Sequence, residues 1–240
     1  MSKNQESYEG APFLSVELVG PAGSGKSTII SVLRESHAAE FGYIGRPRPT
    51  IAQRLIAAFE ALPTVLSPRV LSLRERRRLF QAHRGIRAAA RWIKTLPPGV
   101  HVIDEGPHRV IHDRACQSNR QLEVWRSIVS SELKQLAALP TLVIHVQAAP
   151  DQRRERRQER MGPLELRDPN FNRTLPHRKR NLLFIRDELG PLSPPDSAFT
   201  SIVEVRNTTT VEAAVATIRD QIGDKGNPRR MANHVNEIQG

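Results

Sequence analysis

Near the start of the chain, Gly20-Pro21-Ala22-Gly23-Ser24-Gly25-Lys26-Ser27 combines residue types and a spacing suited to one kind of chemistry. It fits the pattern G-x-x-x-x-G-K-[ST], in which glycines let successive backbone N–H groups turn inward around a phosphate. A helix starting there adds the partial positive charge of its N-terminus. In such an arrangement Lys26 reaches the β- and γ-phosphates of a nucleoside triphosphate, and Ser27 offers its hydroxyl oxygen to Mg²⁺. The expected triphosphate-binding segment runs from Gly20 through Pro21, Ala22, Gly23, Ser24, Gly25, Lys26 and Ser27 to Thr28.

Two further stretches carry charge in useful patterns. Val100-His101-Val102-Ile103 is a short apolar strand that runs directly into Asp104-Glu105-Gly106-Pro107. A carboxylate at the carboxyl end of a strand can hold Mg²⁺ through water or accept a proton, which makes Asp104 a metal-shell and catalytic candidate beside Ser27. The alternative for Asp104 is a turn-initiating residue before Gly-Pro. Further on, Asp151 to Arg160 places Arg153, Arg156, Arg157 and Arg160 at i, i+3, i+4 and i+7, on one helix face. Such packing of like charge disfavours the helix unless an anion such as a triphosphate relieves it. Glu155 and Glu159 offset part of the repulsion, so a solvated, salt-bridged face is the alternative there.

The elements that must position these residues follow from hydrophobic periodicity. Phe13 to Val19 reads as a strand covered on both faces, with Glu17 as the exception. The helix after the loop runs to about Glu40, and Gly42 to Gly45 reads as a short second strand. Thr50 caps a helix whose apolar stripe is Ile51, Leu55, Ala58, Phe59 and Leu62, broken by Pro63 and Pro68. A longer helix spans about Ser72 to Leu96, with His83 as a packing residue rather than a ligand. After the Val100 strand, Leu122 to Leu136 marks another helix, and Thr141 to Val146 a fourth strand. Met161 to Asn172 reads as a loop, Leu175 to Leu189 as a helix, Ser201 to Val205 as a fifth strand, and Val211 to Ile222 as the last helix, capped by Thr209 with Glu212. Strands alternating with helices predict an α/β, doubly wound parallel sheet that binds ligands at the carboxyl ends of its strands.

Composition agrees. A chain of 240 residues, 38% hydrophobic and 25% charged, is long enough for one well-buried domain. A polar leader over 1–11, a domain over 12–222 and a disordered tail over 223–240 are expected, with 46–97 as a helical acceptor segment and 150–175 as a lid. No apolar run reaches membrane-spanning length. Cys116 is the single cysteine, so no internal disulfide forms. These features together point to the cytoplasm and to no membrane partner. The net charge of +11 suits anionic nucleotides, and most of the arginines read as a solvated face.

Across Phe13 to Ile222 the chain resembles the thymidylate kinase and deoxynucleoside kinase group of P-loop kinases. The loop at Gly20 to Ser27, the run Leu79-Phe80-Gln81-Ala82-His83-Arg84 leading to Asp104, and Val146 to Arg160 carry the resemblance. It implies a five-stranded sheet of order 2-3-1-4-5, a helical acceptor lobe and an arginine-rich lid. It also implies that Arg84 contacts the acceptor and that Arg156 and Arg160 are the two spaced lid arginines. Arg46 matches an arginine after the second strand, and Asn207 with Thr208 would pack the adenine base. Asp104 is followed by Glu105 where that group has arginine, so Arg109 or Arg114 is expected to supply the missing phosphate contact.

The expectation is therefore a phosphotransferase using ATP and Mg²⁺ on a small-molecule acceptor, compatible with a nucleoside or nucleotide and with a homodimer. Lys26, Asp104, Arg156 and Arg160 would be catalytic, and Arg46, Arg84, Glu105 and Arg109 would contact the acceptor. Two alternatives stay open: an ATP-hydrolysing or nucleotide-switched module, and a polynucleotide kinase or other nucleic-acid-binding protein.

Overall fold

Five strands, all parallel, form one sheet in the order β2-β3-β1-β4-β5. A computed structural model describes residues 13–66, 71–136, 139–161, 170–189, 200–206 and 210–226. The strands are β1 (Leu14–Val19), β2 (Tyr43–Gly45), β3 (Val100–Ile103), β4 (Thr141–Gln147) and β5 (Thr200–Arg206). The helices are α1 (Lys26–Ser36), α2 (Ile51–Leu66), α3 (Leu73–Ile93), α4 (Pro107–Asp113), α5 (Asn119–Leu136), α6 (Pro150–Met161), α7 (Asn170–Leu189) and α8 (Val211–Gly226). Fold class and strand order are those expected. β1 lies between β3 and β4, pairing Val16 with Val102 and with Leu142, so the loop after it opens at the middle of the sheet.

Alternation along β1 divides the core. Leu14, Val16 and Leu18 face α1 and α8, where they pack with Ile29, Leu33, Ile218 and Ile222. The opposite face carries a second core in which Ile103 packs with Leu79, Ile86, Trp125 and Ile185 from α3, α5 and α7. Covering on both faces accounts for the apolar runs of the strands.

Polar residues on the inner faces are paired. Ser15 and Thr141 share a hydroxyl hydrogen bond of 2.9 Å between neighbouring strands. His83 is a packing residue as read: its Nε2–H donates to Glu132 at 3.0 Å and its Nδ1 accepts from Thr64 at 2.7 Å. Glu17, the exception in β1, accepts from the His108 backbone N–H at 3.0 Å and from His108 Nδ1–H at 2.8 Å. Both side chains are fully buried. The carboxylate thus satisfies a donor of the first turn of α4 and suits the positive end of the helix. Gly106 makes the approach feasible, because a side chain there would strike the Glu17 carboxylate.

Several sequence expectations need correction. Pro63 does not end α2, which runs through it to Leu66. Pro63 lacks only one helical N–H and stands on the exposed side, so the helix continues past it. The stripe of α2 turns outward instead of into the core, because Ala57, Ala61 and Thr64 on the other face allow close approach to α3. α4 was not anticipated, and it is too short to show a period. α7 begins at Asn170, earlier than expected. Thr50 caps α2 as expected, reciprocally with Gln53. At α8 the described cap is Thr210, whose hydroxyl accepts from the Ala213 N–H; Thr209 and Pro68 lie outside the described residues. No described helix is long and apolar enough to cross a membrane.

Glu17→Leu should destabilise the fold by about 3 kcal/mol, because it strands two buried donors of His108. That corresponds to a fall in melting temperature of about 10 °C for a domain of this size. Thermal unfolding followed by circular dichroism measures it, and a variant melting within a degree or two of wild type would show that the pair contributes little.

Candidate functional site

The carboxyl ends of the parallel strands deliver Gly20, Arg46, Asp104 and the start of α6 to one edge of the sheet. The loop between β1 and α1 has the backbone its glycines allow: Gly20, Gly23 and Gly25 all have positive φ. At Gly23 (φ 82°) a side chain is also excluded by space, since a Cβ would lie 2.7 Å from the Arg153 carbonyl oxygen. The loop therefore rests directly on the first turn of α6.

Lys26 closes the loop from inside. Its Nζ donates to the Gly20 carbonyl at 2.7 Å and to the Pro21 carbonyl at 3.0 Å, and lies 3.5 Å from Ser24 Oγ. Burial pushes its pKa down from 10.5 to about 8, and Arg109 and Arg178 push the same way against Asp113 and Asp104. Ser27 and Thr28 are exposed on the first turn of α1.

At the end of β3 the backbone N–H of Asp104 donates to Gly45 at 2.8 Å, joining the ends of β2 and β3. Oδ1 of Asp104 accepts from Arg109 at 2.8 Å, and Oδ2 from Arg46 at 3.4 Å. Glu105 takes a left-handed backbone (φ 64°), uncommon for a non-glycine residue. Its carboxylate lies 3.2 Å from Arg46 and 3.5 Å from Arg109. Arg46, Asp104, Glu105 and Arg109 are thus one cluster.

α4 and α7 add residues that sequence reading missed. Asp113, at the end of α4, faces Arg109 at 3.4 Å and Arg178 of α7 at 3.6 Å. His112 hydrogen-bonds Asp113 at 2.9 Å and, held below its usual pKa by burial, keeps a neutral ring. The buried Asn181 donates to the carbonyls of Ile111 at 3.0 Å and Arg114 at 2.6 Å, which fixes α7 on the end of α4. Arg153, on the α6 face, is buried, and burial followed by Arg178 lowers its pKa. Its Nε and Nη1, and Nη1 of Arg156, are buried without a hydrogen-bond partner among the described residues. The i, i+3 spacing already marked Arg153; no local signal marks Arg178. The side chain of Arg160, and Asn207 with Thr208, lie outside the described residues.

Beside this cluster a cavity of about 510 Å³ is lined by Arg78, Glu105, Arg109, Asp113, Arg114 and Gln117, among others. Arg84 is not on its wall; it is exposed on α3 with its guanidinium 6.0 Å from the Phe80 ring. Arg114 projects buried Nε and Nη2 groups that have no hydrogen-bond partner among the described residues. Burial lowers its pKa, and Arg78 pushes it further the same way.

No cluster of three or more His, Cys, Asp or Glu that could hold a metal alone occurs among the described residues. The oxygens of Ser27 and Asp104 are hard donors, which fits Mg²⁺, an ion that keeps water and phosphate oxygens as most of its ligands.

No family model matches the sequence, and no curated protein matches it. Among solved structures the chain is similar to deoxyadenosine kinase from M. mycoides with bound dCTP, at 11% identity and a TM-score of 0.44, over 88% of this chain and 99% of that one. The same kinase with bound dATP gives 12% identity and 0.43, over 87% and 99%.

The low pKa of Lys26 has consequences for pH. Between about 8 and 10.5 the folded protein binds fewer protons than the unfolded chain, so this residue's contribution to stability improves as pH rises through that window. An anion bound in the loop reverses the shift and draws a proton onto Lys26. Calorimetric titration of Mg-ATP at about pH 8.5, in buffers of differing ionisation enthalpy, should show net proton uptake by wild type and none by Lys26→Met. Equal proton uptake by the two proteins would separate the binding site from Lys26.

Proposed function

We propose that the chain is an ATP- and Mg²⁺-dependent phosphotransferase whose acceptor is a small molecule bearing an anionic group. The observation that carries this reading is the excess, among the described residues, of buried and half-buried cations at one edge of the sheet. Lys26, Arg109, Arg153 and Arg178 crowd around the phosphate-binding loop, and among the described residues the carboxylates that meet them are Asp104, Glu105 and Asp113. Buried guanidinium N–H groups without partners are costly unless an anion takes them up.

In this reading the loop amides and Lys26 hold the β- and γ-phosphates. Arg153 and Arg156, joined by Arg160, meet the charge that develops on the transferring phosphoryl group. Ser27 and Asp104 would hold Mg²⁺, which supplies charge neutralisation across the phosphates. The acceptor occupies the cavity between α3 and α4. Glu105 lines that cavity and Asp104 does not, so Glu105 accepts the proton of the acceptor hydroxyl while Asp104 keeps Arg46 and Arg109 in place. Arg114, one of the two arginines expected to replace the one missing after Asp104, and Arg78 line the cavity and would recognise the acceptor's anionic group.

A transfer screen with γ-labelled ATP, comparing neutral hydroxyl compounds such as nucleosides with phosphate- and carboxylate-bearing ones, tests this. Label should pass to members of the anionic set. Lys26→Ala should abolish transfer, and Glu105→Gln should lower kcat by about 100-fold or more. Arg114→Gln should raise KM for the acceptor by about 10- to 100-fold, the worth of one charged hydrogen-bonding partner, with kcat little changed. Hydrolysis of ATP at a rate indifferent to every acceptor would favour the ATPase alternative. Transfer to neutral compounds that is insensitive to Arg114→Gln would remove the anionic subsite.

A further inference from the structure

The cavity beside the site runs along one face of α4. Arg109 and Asp113 stand one turn apart on its wall with Arg114 next to them, and Glu105 precedes the helix. At a rise of about 1.5 Å per residue, the backbone carries Glu105 and Arg114 roughly 13 Å apart along the axis. α3 contributes Arg78 and Ala82, again one turn apart. The cavity therefore has two ends, and they differ in charge.

At the Glu105 end, beside the phosphate-binding loop, cations and carboxylates are matched. Arg109 donates to Asp104 at 2.8 Å and lies 3.5 Å from Glu105, and Arg46 approaches both carboxylates. At the Arg114 end they are not. Nε and Nη2 of Arg114 form one edge of the guanidinium, the edge that meets two oxygens of a phosphate or carboxylate side by side, and both are buried without a partner among the described residues. The charged neighbours of Arg114 are Arg78 and Glu75. Glu75 is occupied by the Ser72 backbone N–H at 2.9 Å, the Ser72 hydroxyl at 2.7 Å and the Ser118 hydroxyl at 3.2 Å. Asp113 turns away to Arg109 at 3.4 Å and Arg178 at 3.6 Å.

We propose that the acceptor is a sugar or polyol phosphate, held by its phosphate on Arg114 and Arg78 and phosphorylated on a hydroxyl at its other end. This rests on the phosphotransferase reading of the site and names its substrate class. A phosphomonoester carries nearly two negative charges at neutral pH and matches two guanidiniums, where a carboxylate carries one. The phosphate is not the attacking group, because Asp104 and Glu105 at the loop end oppose another anion and suit a hydroxyl. Side chains lean in from both ends, and the remaining span of roughly 8 Å fits about four to six carbons with their phosphate, at the extended repeat of about 3.4 Å per three bonds. The hydroxyl oxygen bonds to the γ-phosphorus of ATP and the bond from that phosphorus to the bridging oxygen breaks. The hydroxyl proton passes to Glu105, ADP leaves, and the product is a bisphosphate with two monoester groups.

Transfer from γ-labelled ATP to ω-hydroxyalkyl phosphates of increasing length, ethyl to octyl, tests this on the wild-type chain. Pentose and hexose phosphates, ω-hydroxy carboxylates and nucleoside monophosphates complete the set, and phosphorus NMR identifies the products. The value of kcat/KM should peak at butyl to hexyl and for the sugar phosphates, with only monoester signals in the product. Arg114→Lys keeps the charge and loses the paired edge, so it should lower kcat/KM for these acceptors by about 10-fold or more and leave KM for ATP unchanged. Transfer that is flat across chain length, equal use of the hydroxy carboxylates, or preferred transfer to nucleoside monophosphates with a pyrophosphate signal would overturn this inference and leave the phosphotransferase reading standing. Absence of transfer to every compound would remove both.

Discussion

A buried cation needs either a carboxylate or a bound anion, and among the described residues one edge of this sheet gathers more cations than carboxylates. Lys26 sits inside its own loop with three oxygens as partners, and Arg109 and Arg178 face it. Arg153, beneath Gly23, is buried with two N–H groups unsatisfied. Such a cluster weakens the fold unless it has a use, and phosphate is the ligand whose charge and multiple oxygens suit it. The rest of the architecture serves to bring that charge together: parallel strands end on one side, and short connections hold their terminal residues against the loop.

The polar supports of the site are as buried as the core. Glu17 reaches from the central strand to the first turn of α4, which fixes the helix carrying Arg109 and Asp113. Asn181 ties α7, and with it Arg178, to the carbonyls at the other end of α4. α4 is thus clamped at both ends. Its seven residues connect the Asp104 turn to the cavity wall.

Much of this was legible in local sequence. The glycine spacing announced the loop, the apolar run into Asp104 announced the strand end, and the alternation of periods announced the sheet. The unread parts are long-range or short. Glu17 stood out as a polar residue in a buried strand, but its partner is 91 residues away. Arg178 and Asp113 are ordinary charged residues until the fold joins them. Periodicity identified the apolar row of α2, yet periodicity locates a face without saying what the face meets, and small alanines on the opposite side won the contact with α3.

The central claim is that the glycine-shaped loop resting on Arg153 grips a nucleoside triphosphate. Calorimetric titration of Mg-ATP into wild type and into Gly23→Ala tests it most directly, because a Cβ at Gly23 crowds the Arg153 carbonyl and opposes a φ of 82°. Wild type should bind in the micromolar range, and the folded variant should bind about 100-fold more weakly, a difference near 2.7 kcal/mol. A folded wild type that gives no heat with any magnesium-complexed purine triphosphate, or a variant that binds as well as wild type, would contradict the account.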